Sequence, residues 1–348
     1  MADTATSFPR DQRGEWVPRD LPGPSPVFSR PWRVKQVLNS LFGLEGLLGW
    51  QPMIYTGLCV VAWLFFTPEM ARMRTFAIGW IAEIYLRNAA LLLLVVGPLH
   101  LRLYVMKSQG ERYKYNSHFP RTGDRKFLFG SQTWDNVFYN FVSGVTIWTA
   151  FEAVSMWAYA NGWLPWMEFR TNPVYCVAMF PLIVLFRQVH FYGTHRLTHW
   201  KPYYRAAHYV HHKNVNPGPW SGFSMHPLEH LIYLSGFLIH WIVPSHPIHV
   251  LYNLMDAALT PANGHSGFHR IEVNEKPNVK SGDYFHYLHH RYFDCNYGTT
   301  LVPMDRWFGS FHDGSPEAHA ALRGRHRRIK QGSQKYWDVD ASVSTGLR

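Results

Sequence analysis

Between His195 and His290 the chain places 15 of its 21 His within 96 residues. Ten of them fall into four short patterns. His195 and His199 make HxxxH, and His208, His211 and His212 make HxxHH. His265 and His269 make a second HxxxH, and His286, His289 and His290 a second HxxHH. On a helix of ~3.6 residues per turn, positions i and i+4 lie about 40° apart, and i, i+3 and i+4 share an arc of about 100°. Each pattern therefore offers two or three imidazoles on one face. Protonated, ten such rings would repel one another badly; neutral imidazole is the commonest metal ligand. Ten ligands are too many for one ion and suit two.

The residue types narrow the metal. No thiolate belongs to the set: there are only three Cys, and Cys59 and Cys176 sit inside apolar runs. Imidazole suits zinc, copper, iron and nickel. A zinc hydrolase needs three ligands and a water, not ten His. Two haems would need axial His pairs on facing membrane helices, not triplets beside polar sequence. The Glu-x-x-His pattern of soluble di-iron bundles is absent. Two irons held almost wholly by imidazole fit best, with oxygen activation as their task.

The elements that position these rings follow from the apolar pattern. The chain has 348 residues, 47% hydrophobic and only 16% charged, with a net charge of +11. Such a chain buries a large core, which excludes disorder as its main state. Three Cys exclude a disulfide scaffold. The charge would suit nucleic acid or an anionic membrane equally, and the apolar runs decide for the membrane. They cover 53–66, 76–99, 137–166, 174–186, 228–243 and 250–259. A crossing helix needs ~20 mainly apolar residues. The first four runs meet that when flanking aromatics are counted. The last two contain His230, His240, Asn253 and Asp256, and read as a hairpin that is partly buried in protein or that only dips into the bilayer. The fold expected is an all-α integral-membrane bundle of about four crossing helices plus a short hairpin. Trp63, Trp80, Trp157, Trp163 and Trp166 read as an interfacial belt. If each hairpin closes, the long polar segments share one side. They hold 29 of the 34 Lys and Arg, which puts that side in the cytoplasm.

Charges inside the runs have structural and functional readings. Glu83 and Arg87 are spaced i, i+4 and are expected to pair. Glu152 and Arg187 are further intramembrane charges.

The His pattern resembles the fatty acid hydroxylase/sterol desaturase superfamily of integral-membrane di-iron oxidases, in its order HxxxH, HxxHH, HxxxH, HxxHH. Met225-His226-Pro227-Leu228-Glu229 resembles the HPxE element of its sterol desaturase branch. Asn263-Gly264-His265-Ser266-Gly267 resembles NxGHSG, and Asn296-Tyr297-Gly298 resembles the NYG ending. The resemblance covers residues 137–312. It implies a helical cytoplasmic cap holding a di-metal site, with two non-haem irons, dioxygen as co-substrate, and the ten His as ligands. It further implies hydrogen abstraction from a lipid C–H bond, giving an alcohol or an alkene.

Metal-bound His need partners for their second ring nitrogen. Glu229, Asp256, Asp283, Asp294 and Asn296 are candidates, and His226 and His230 read as supporting or structural. His190, His240, His246 and His249 lack the pattern and receive no role. No haem-binding HPGG, ferredoxin Cys pattern or GxGxxG accompanies the His, so electrons are expected from a separate donor protein docking on the basic face.

The organisation expected is a Pro/Arg-rich irregular segment at 1–51, a membrane hairpin and basic loop at 52–136, the catalytic domain at 137–312, and a basic tail at 313–348. The basic cluster from Arg323 onward suits anionic headgroups or an acidic donor; nucleic acid is not expected as a partner. The setting expected is a multi-pass protein of the bacterial inner membrane or endoplasmic reticulum. The competing reading is a His-rich membrane metal transporter or metal store without redox chemistry. Transport sites would place ligands at the midplane of crossing helices, whereas these patterns sit beside the runs.

Overall fold

Proline and histidine punctuate this chain where its helices begin. The computed structural model describes residues 10–327 except 12, 22, 275 and 326. Four of its helices start on Pro: α6 (Pro173–Thr198), α9 (Pro227–Tyr233), α10 (Pro247–Leu259) and α11 (Pro261–Gly264). Pro fits there because its missing N–H would be unpaired anyway and its φ is already helical. His226 and His246 precede two of these prolines and cap the helices. Their Nδ1 atoms accept from the Leu228 and Ile248 amides, each at 3.2 Å.

The N-terminal part holds α1 (Val34–Phe42), α2 (Trp50–Phe66) and α3 (Ile78–His100). Past Pro98, α3 widens into a π-turn at Leu101–Val105, so that Ile78–Val105 is one 28-residue rod. α4 (Gln132–Phe138) runs through a π-segment into α5 (Thr146–Ala160). After α6 come α7 (Lys201–Tyr203), a π-turn at Tyr204–His208 and α8 (Tyr209–His212). α9 continues as a 3₁₀ segment and α10 runs back beside it. Beyond α11 lie strands β1 (Arg270–Val273) and β2 (Lys276–Lys280), then α12 (Tyr284–Tyr292) and α13 (Met304–Trp307).

α10 is the axis of the bundle. All 13 of its residues are buried, and α2, α3, α5 and α6 pack around it. The Ile78–Val105 rod and α6 are long and apolar enough to cross a membrane, and α2 is a shorter apolar helix. Their outer faces expose Leu64, Phe65, Leu93, Leu94, Val174 and Val177. Exposed apolar side chains on helices of this length suit hydrocarbon rather than water. The turns after α2, α5 and the 3₁₀ segment gather at one end. There the Asn161 amide donates to Arg74 O at 3.1 Å, and the Met167 N–H to Ser245 O at 3.3 Å. The His-rich segments occupy the other end, where Tyr104 donates to Ser266 O at 2.7 Å and ties the α3 rod to the His265 loop.

Four expectations change. The chain is mostly helical, yet β1 and β2 form an antiparallel hairpin beside the His-rich segments. The segment 1–51, expected to be irregular, contains α1, and its residues around Trp16 pack against Tyr115. Trp80 is not an interfacial anchor: it is buried and donates to Thr75 O at 3.0 Å. Glu83 and Arg87 do not pair. Glu83 is held by Arg72 at 2.6 Å on the exposed turn, whereas Arg87 points inward to Glu152 on α5 at 2.5 Å. Tertiary packing turned Arg87 away because α5 supplies a buried carboxylate, with Asn88 closing the network. Much of the basic cluster beginning at Arg323 lies outside the described residues.

Removing one member of a buried ion pair leaves the other charge uncompensated, at a cost of about 3–5 kcal/mol, whereas replacing both by apolar residues is often neutral. Arg87→Met and Glu152→Leu should each lower the detergent-solubilised protein's unfolding midpoint strongly. The double variant should recover most of the loss in a thermal or denaturant melt. Strictly additive losses would contradict the pairing.

Candidate metal centre

Four separate stretches bring imidazoles together at one end of the bundle. His195 lies in the last turn of α6 and His199 terminates that helix. His208 ends the π-turn, and His211 and His212 sit on α8. His265 follows α11, and His286, His289 and His290 ride on α12. The result is two groups. His195, His199, His208, His212 and His289 form the first; His211, His265, His286 and His290 form the second. Within each, one ring nitrogen per residue lies within 4.8 Å of all the others.

The triplets divide between the groups in reciprocal fashion. From the first, His208 and His212 (i, i+4) enter the first group and His211 (i+3) the second. From the second triplet, His286 and His290 enter the second group and His289 the first. Positions i and i+4 point about 40° apart, while i+3 points about 60° to the other side of i. The shared face expected from the spacing is wide enough to serve two centres.

Hydrogen bonds at the opposite nitrogen fix which atom faces inward. The Nδ1 atoms of His195, His211, His265 and His289 lie against the carbonyl oxygens of Tyr297, Ser224, Pro261 and Cys295, at 2.7, 3.2, 2.9 and 2.6 Å. A carbonyl only accepts, so each Nδ1 carries the proton. His208 Nδ1 donates to Glu229 Oε1 at 2.7 Å. In these neutral rings Nε2 then holds a bare lone pair. His265 Nε2 nevertheless lies 3.3 Å from His211 Nε2, and His208 Nε2 lies 3.0 Å from His199 Nε2. Where both partners carry their proton on Nδ1, as His265 and His211 do, no hydrogen bond is available. Lone pair faces lone pair, and a cation between them is what the donor set fits.

Electrostatics keeps the rings in ligand form. Burial, foremost, holds His211 down at about 4 and His265 at about 3. Burial and then the charge of His195 hold His199 at about 2. His212, His286, His289 and His290 are pushed well below the usual imidazole range by burial and then by neighbouring His.

The remaining candidates are placed differently. His269 stands outside both groups. Its Nε2 meets Asp20 at 2.9 Å and its Nδ1 meets the Tyr115 hydroxyl at 3.1 Å, so both ring nitrogens are engaged. His230 sits between Ser143 and the Phe223 carbonyl. Asp283 caps α12, accepting from the Phe285 amide at 3.0 Å. Asn296 locks the loop after α12 by bonding Phe285 O and His312 O. Asp294 lies at that turn, its carbonyl accepting from Arg325. Asp256 does not reach a His; it pairs with Arg187 at 3.0 Å. Of the side chains singled out as His partners, only Glu229 meets one of the grouped rings. The other partners are backbone carbonyls, which no side-chain pattern announces.

A cavity of about 360 Å³ opens beside the groups. His195, His208, His211, His265 and His286 form one end of its wall, and Val184, Phe191, Leu47 and Trp50 line it further along.

Because these rings are depressed below the ~6.5 of free imidazole, the unfolded chain binds more protons than the folded one at mildly acid pH. Stability from their burial is fully present above about pH 6.5 and is lost as pH falls through the folded-state values of about 4 for His211 and 3 for His265. The metal-free protein's melting midpoint should therefore drop steadily between pH 6.5 and 4. A divalent cation should raise it most at pH 7 and progressively less below. A midpoint flat across that range would contradict the buried neutral rings.

Comparison with known proteins places this geometry. Residues 180–310 match the family model described as Fatty acid hydroxylase. A Delta(7)-sterol 5(6)-desaturase of Aspergillus fumigatus is 28% identical over 152 residues, covering 42% of this chain and 40% of the relative. Methylsterol monooxygenase 1 of Gallus gallus is 36% identical over 122 residues, 34% of this chain and 41% of the relative. The Delta(7)-sterol 5(6)-desaturase of Saccharomyces cerevisiae is 30% identical over 129 residues, 37% of this chain and 34% of the relative. The match thus spans less than half the length of each of these relatives. No solved structure matches. All four His patterns lie inside the matched region, so residues 180–310 are similar to the fatty acid hydroxylase family, and the relatives that share this part of the chain are sterol desaturases and a methylsterol monooxygenase.

Proposed function

We propose that this protein is a membrane-bound di-iron oxidase that hydroxylates or desaturates a C–H bond of a lipid, using dioxygen and electrons from a separate donor protein. The observation that carries the reading is the convergence of nine imidazoles in two thiolate-free groups, five of them on the wall of a cavity that apolar residues also line. His195, His199, His208, His212 and His289 would hold one iron, and His211, His265, His286 and His290 the other. Bound there, iron supplies the reductive activation of dioxygen and the hydrogen abstraction that unactivated carbon requires. One electron pair comes from the substrate and the other from outside.

The chain's own residues position and exclude. The carbonyls of Tyr297, Ser224, Pro261 and Cys295 fix the ring orientations. Glu229 accepts from His208 Nδ1 and fixes that ring; burial raises its carboxyl well above the usual range, and a cation held beside it would favour the carboxylate. Val184, Phe191, Leu47 and Trp50 keep water from the hydrocarbon and aim it at the His end. In this reading α2, α3, α5 and α6 cross the bilayer, residues 137–312 form the catalytic domain, and the His groups lie at the cytoplasmic face. The grouped rings at the end of α6 and beyond it are not the midplane arrangement of a transport site.

Lipid mass spectrometry on cells grown under labelled dioxygen tests the reaction. With wild type, one lipid should gain a labelled oxygen or lose two hydrogens; with His208→Ala it should not. Iron bound with no lipid changed, in a host supplying donor and lipids, would instead favour metal handling. Glu229→Gln keeps a side-chain acceptor for His208 but cannot become a carboxylate beside a bound cation. Loss of such a partner typically lowers metal affinity or activity ~10–100-fold, which iron titration of the purified variant would read directly.

A further inference from the structure

Helix α1 (Val34–Phe42) lies outside the region that matches the family model, and its surface has three distinct faces. At about 100° per residue, its five apolar side chains fall on one arc, and Lys35, Gln36, Asn39 and Ser40 on the other. The fold divides the apolar arc. Val37 and Leu41 turn toward the protein and are partly buried, and Leu41 packs against the main core. Val34, Leu38 and Phe42, spaced i, i+4 and i+8, are 69%, 51% and 64% exposed. Lys35, Gln36 and Asn39 are exposed on the third face. A helix with one side on protein and two exposed sides of opposite character suits a boundary between hydrocarbon and water.

The connection to α2 holds α1 in place. After Phe42 the chain folds back on the last turn of α1. The Leu47 N–H donates to Ser40 O at 3.0 Å and the Leu48 N–H to Leu41 O at 2.8 Å. The turn is so tight that a Cβ on Gly46 or Gly49 would come within 2.7 or 2.3 Å of a backbone oxygen. α2 starts directly after it, at Trp50. Exposed Leu44 and Leu48 continue the apolar row of α1 into Met53 and Ile54 of α2. With 9 residues, about 13 Å, α1 is too short to cross a bilayer. Glu45 lies 3.7 Å from Arg270 and 3.8 Å from Lys280, which puts the turn beside β1 and β2 at the His-bearing end. Charge completes the pattern. Between Asp20 and Glu45 the chain carries Arg30, Arg33 and Lys35 and no acidic residue. The two flanking carboxylates are engaged elsewhere, Asp20 by His269 at 2.9 Å and Glu45 by the β1–β2 pair of cations.

We propose that α1 lies in the headgroup layer of the leaflet at the His-bearing end and gathers anionic phospholipids there. Val34, Leu38 and Phe42 enter the hydrocarbon, while Arg30, Arg33 and Lys35 meet the phosphates. A soluble acidic protein would meet the same cations but leave the apolar row, continuous with that of α2, in water. The inference rests on the membrane setting and not on the oxidase reading.

The test uses the whole purified protein in phosphatidylcholine nanodiscs containing a minority of phosphatidylglycerol. Cys59, Cys176 and Cys295 are buried, so a thiol-directed probe reports on an added Cys. A nitroxide on Leu38→Cys should collide with dissolved oxygen more than with a water-soluble nickel chelate, and one on Asn39→Cys the reverse. A fluorophore on Asn39→Cys then reads which lipid gathers there, by energy transfer to trace phosphatidylglycerol or phosphatidylcholine labelled on one acyl chain. The attraction of a basic side chain to an anionic surface predicts roughly 5-fold enrichment of phosphatidylglycerol. Raising the salt should bring that ratio toward one with the native cations in place, a readout independent of any charge variant's folding. Arg30→Gln combined with Arg33→Gln and Lys35→Gln should bring it to about one at low salt. The proposal falls if the two nitroxides report the same surroundings, if neither lipid is enriched, or if the triple variant keeps the enrichment.

Discussion

Nine imidazoles crowded nitrogen to nitrogen are the constraint on which the rest of this structure depends. In water such rings would turn apart or take up protons. Here they do neither, because the nitrogen on the far side of several rings is committed to a carbonyl or to Glu229. The fold supplies those acceptors from chain distant in sequence. Tyr297 and Cys295 come from the loop beyond α12, Ser224 from the segment before α9, and Pro261 from the start of α11. Each acceptor needs its loop held still, and the polar network around Asn296 and Asp305 does that. Asn296 bonds three backbone groups, and Asp305 accepts from the Tyr297 and Gly298 amides at 2.8 and 2.7 Å.

The bundle serves the same end. α6 passes from the apolar core into the His-rich end without a break, so the position of His195 is set by a helix 26 residues long. α10 fills the middle, and Thr260 and Pro261 at its end deliver the loop that carries His265. The N-terminal chain closes the outer side. Trp16 stacks on Tyr115, Glu15 meets Arg291 at 2.5 Å, and Asp20 meets His269. A segment with no recognisable motif thus packs against α12, which carries three of the grouped rings.

What the sequence disclosed follows the same physics. Local spacing is enough to show that two triplets and one HxxxH lie on helices, and nine of the ten patterned His do meet. Spacing alone could not show how they divide. That depends on the relative tilt of α8 and α12, which long-range packing sets. Nor could it show that His269 leaves its pattern. β1 begins just after His269, and its backbone turns the ring toward Tyr115 and Asp20. Backbone acceptors were invisible because every residue type carries the same carbonyl. The i, i+4 rule failed for Glu83 and Arg87 for a related reason: it weighs only neighbours on one helix, and a buried carboxylate across the bundle outcompetes an exposed one.

The absence of His269 leaves the two groups unequal, five rings against four. Catalytic metal sites differ from structural ones in keeping a position free of protein ligands. Under the proposed function, the four-ring group is the one better suited to keep such a position. Three of its members, His211, His265 and His286, lie on the cavity wall, against two from the five-ring group. The more open group therefore also has the larger share of the surface a substrate would reach. Had His269 joined it, the second group would match the first, and its claim to the reacting face would be weaker. Under the proposed function, the strand that draws His269 away would thus bear on the chemistry, because it leaves one group a ring short of the other.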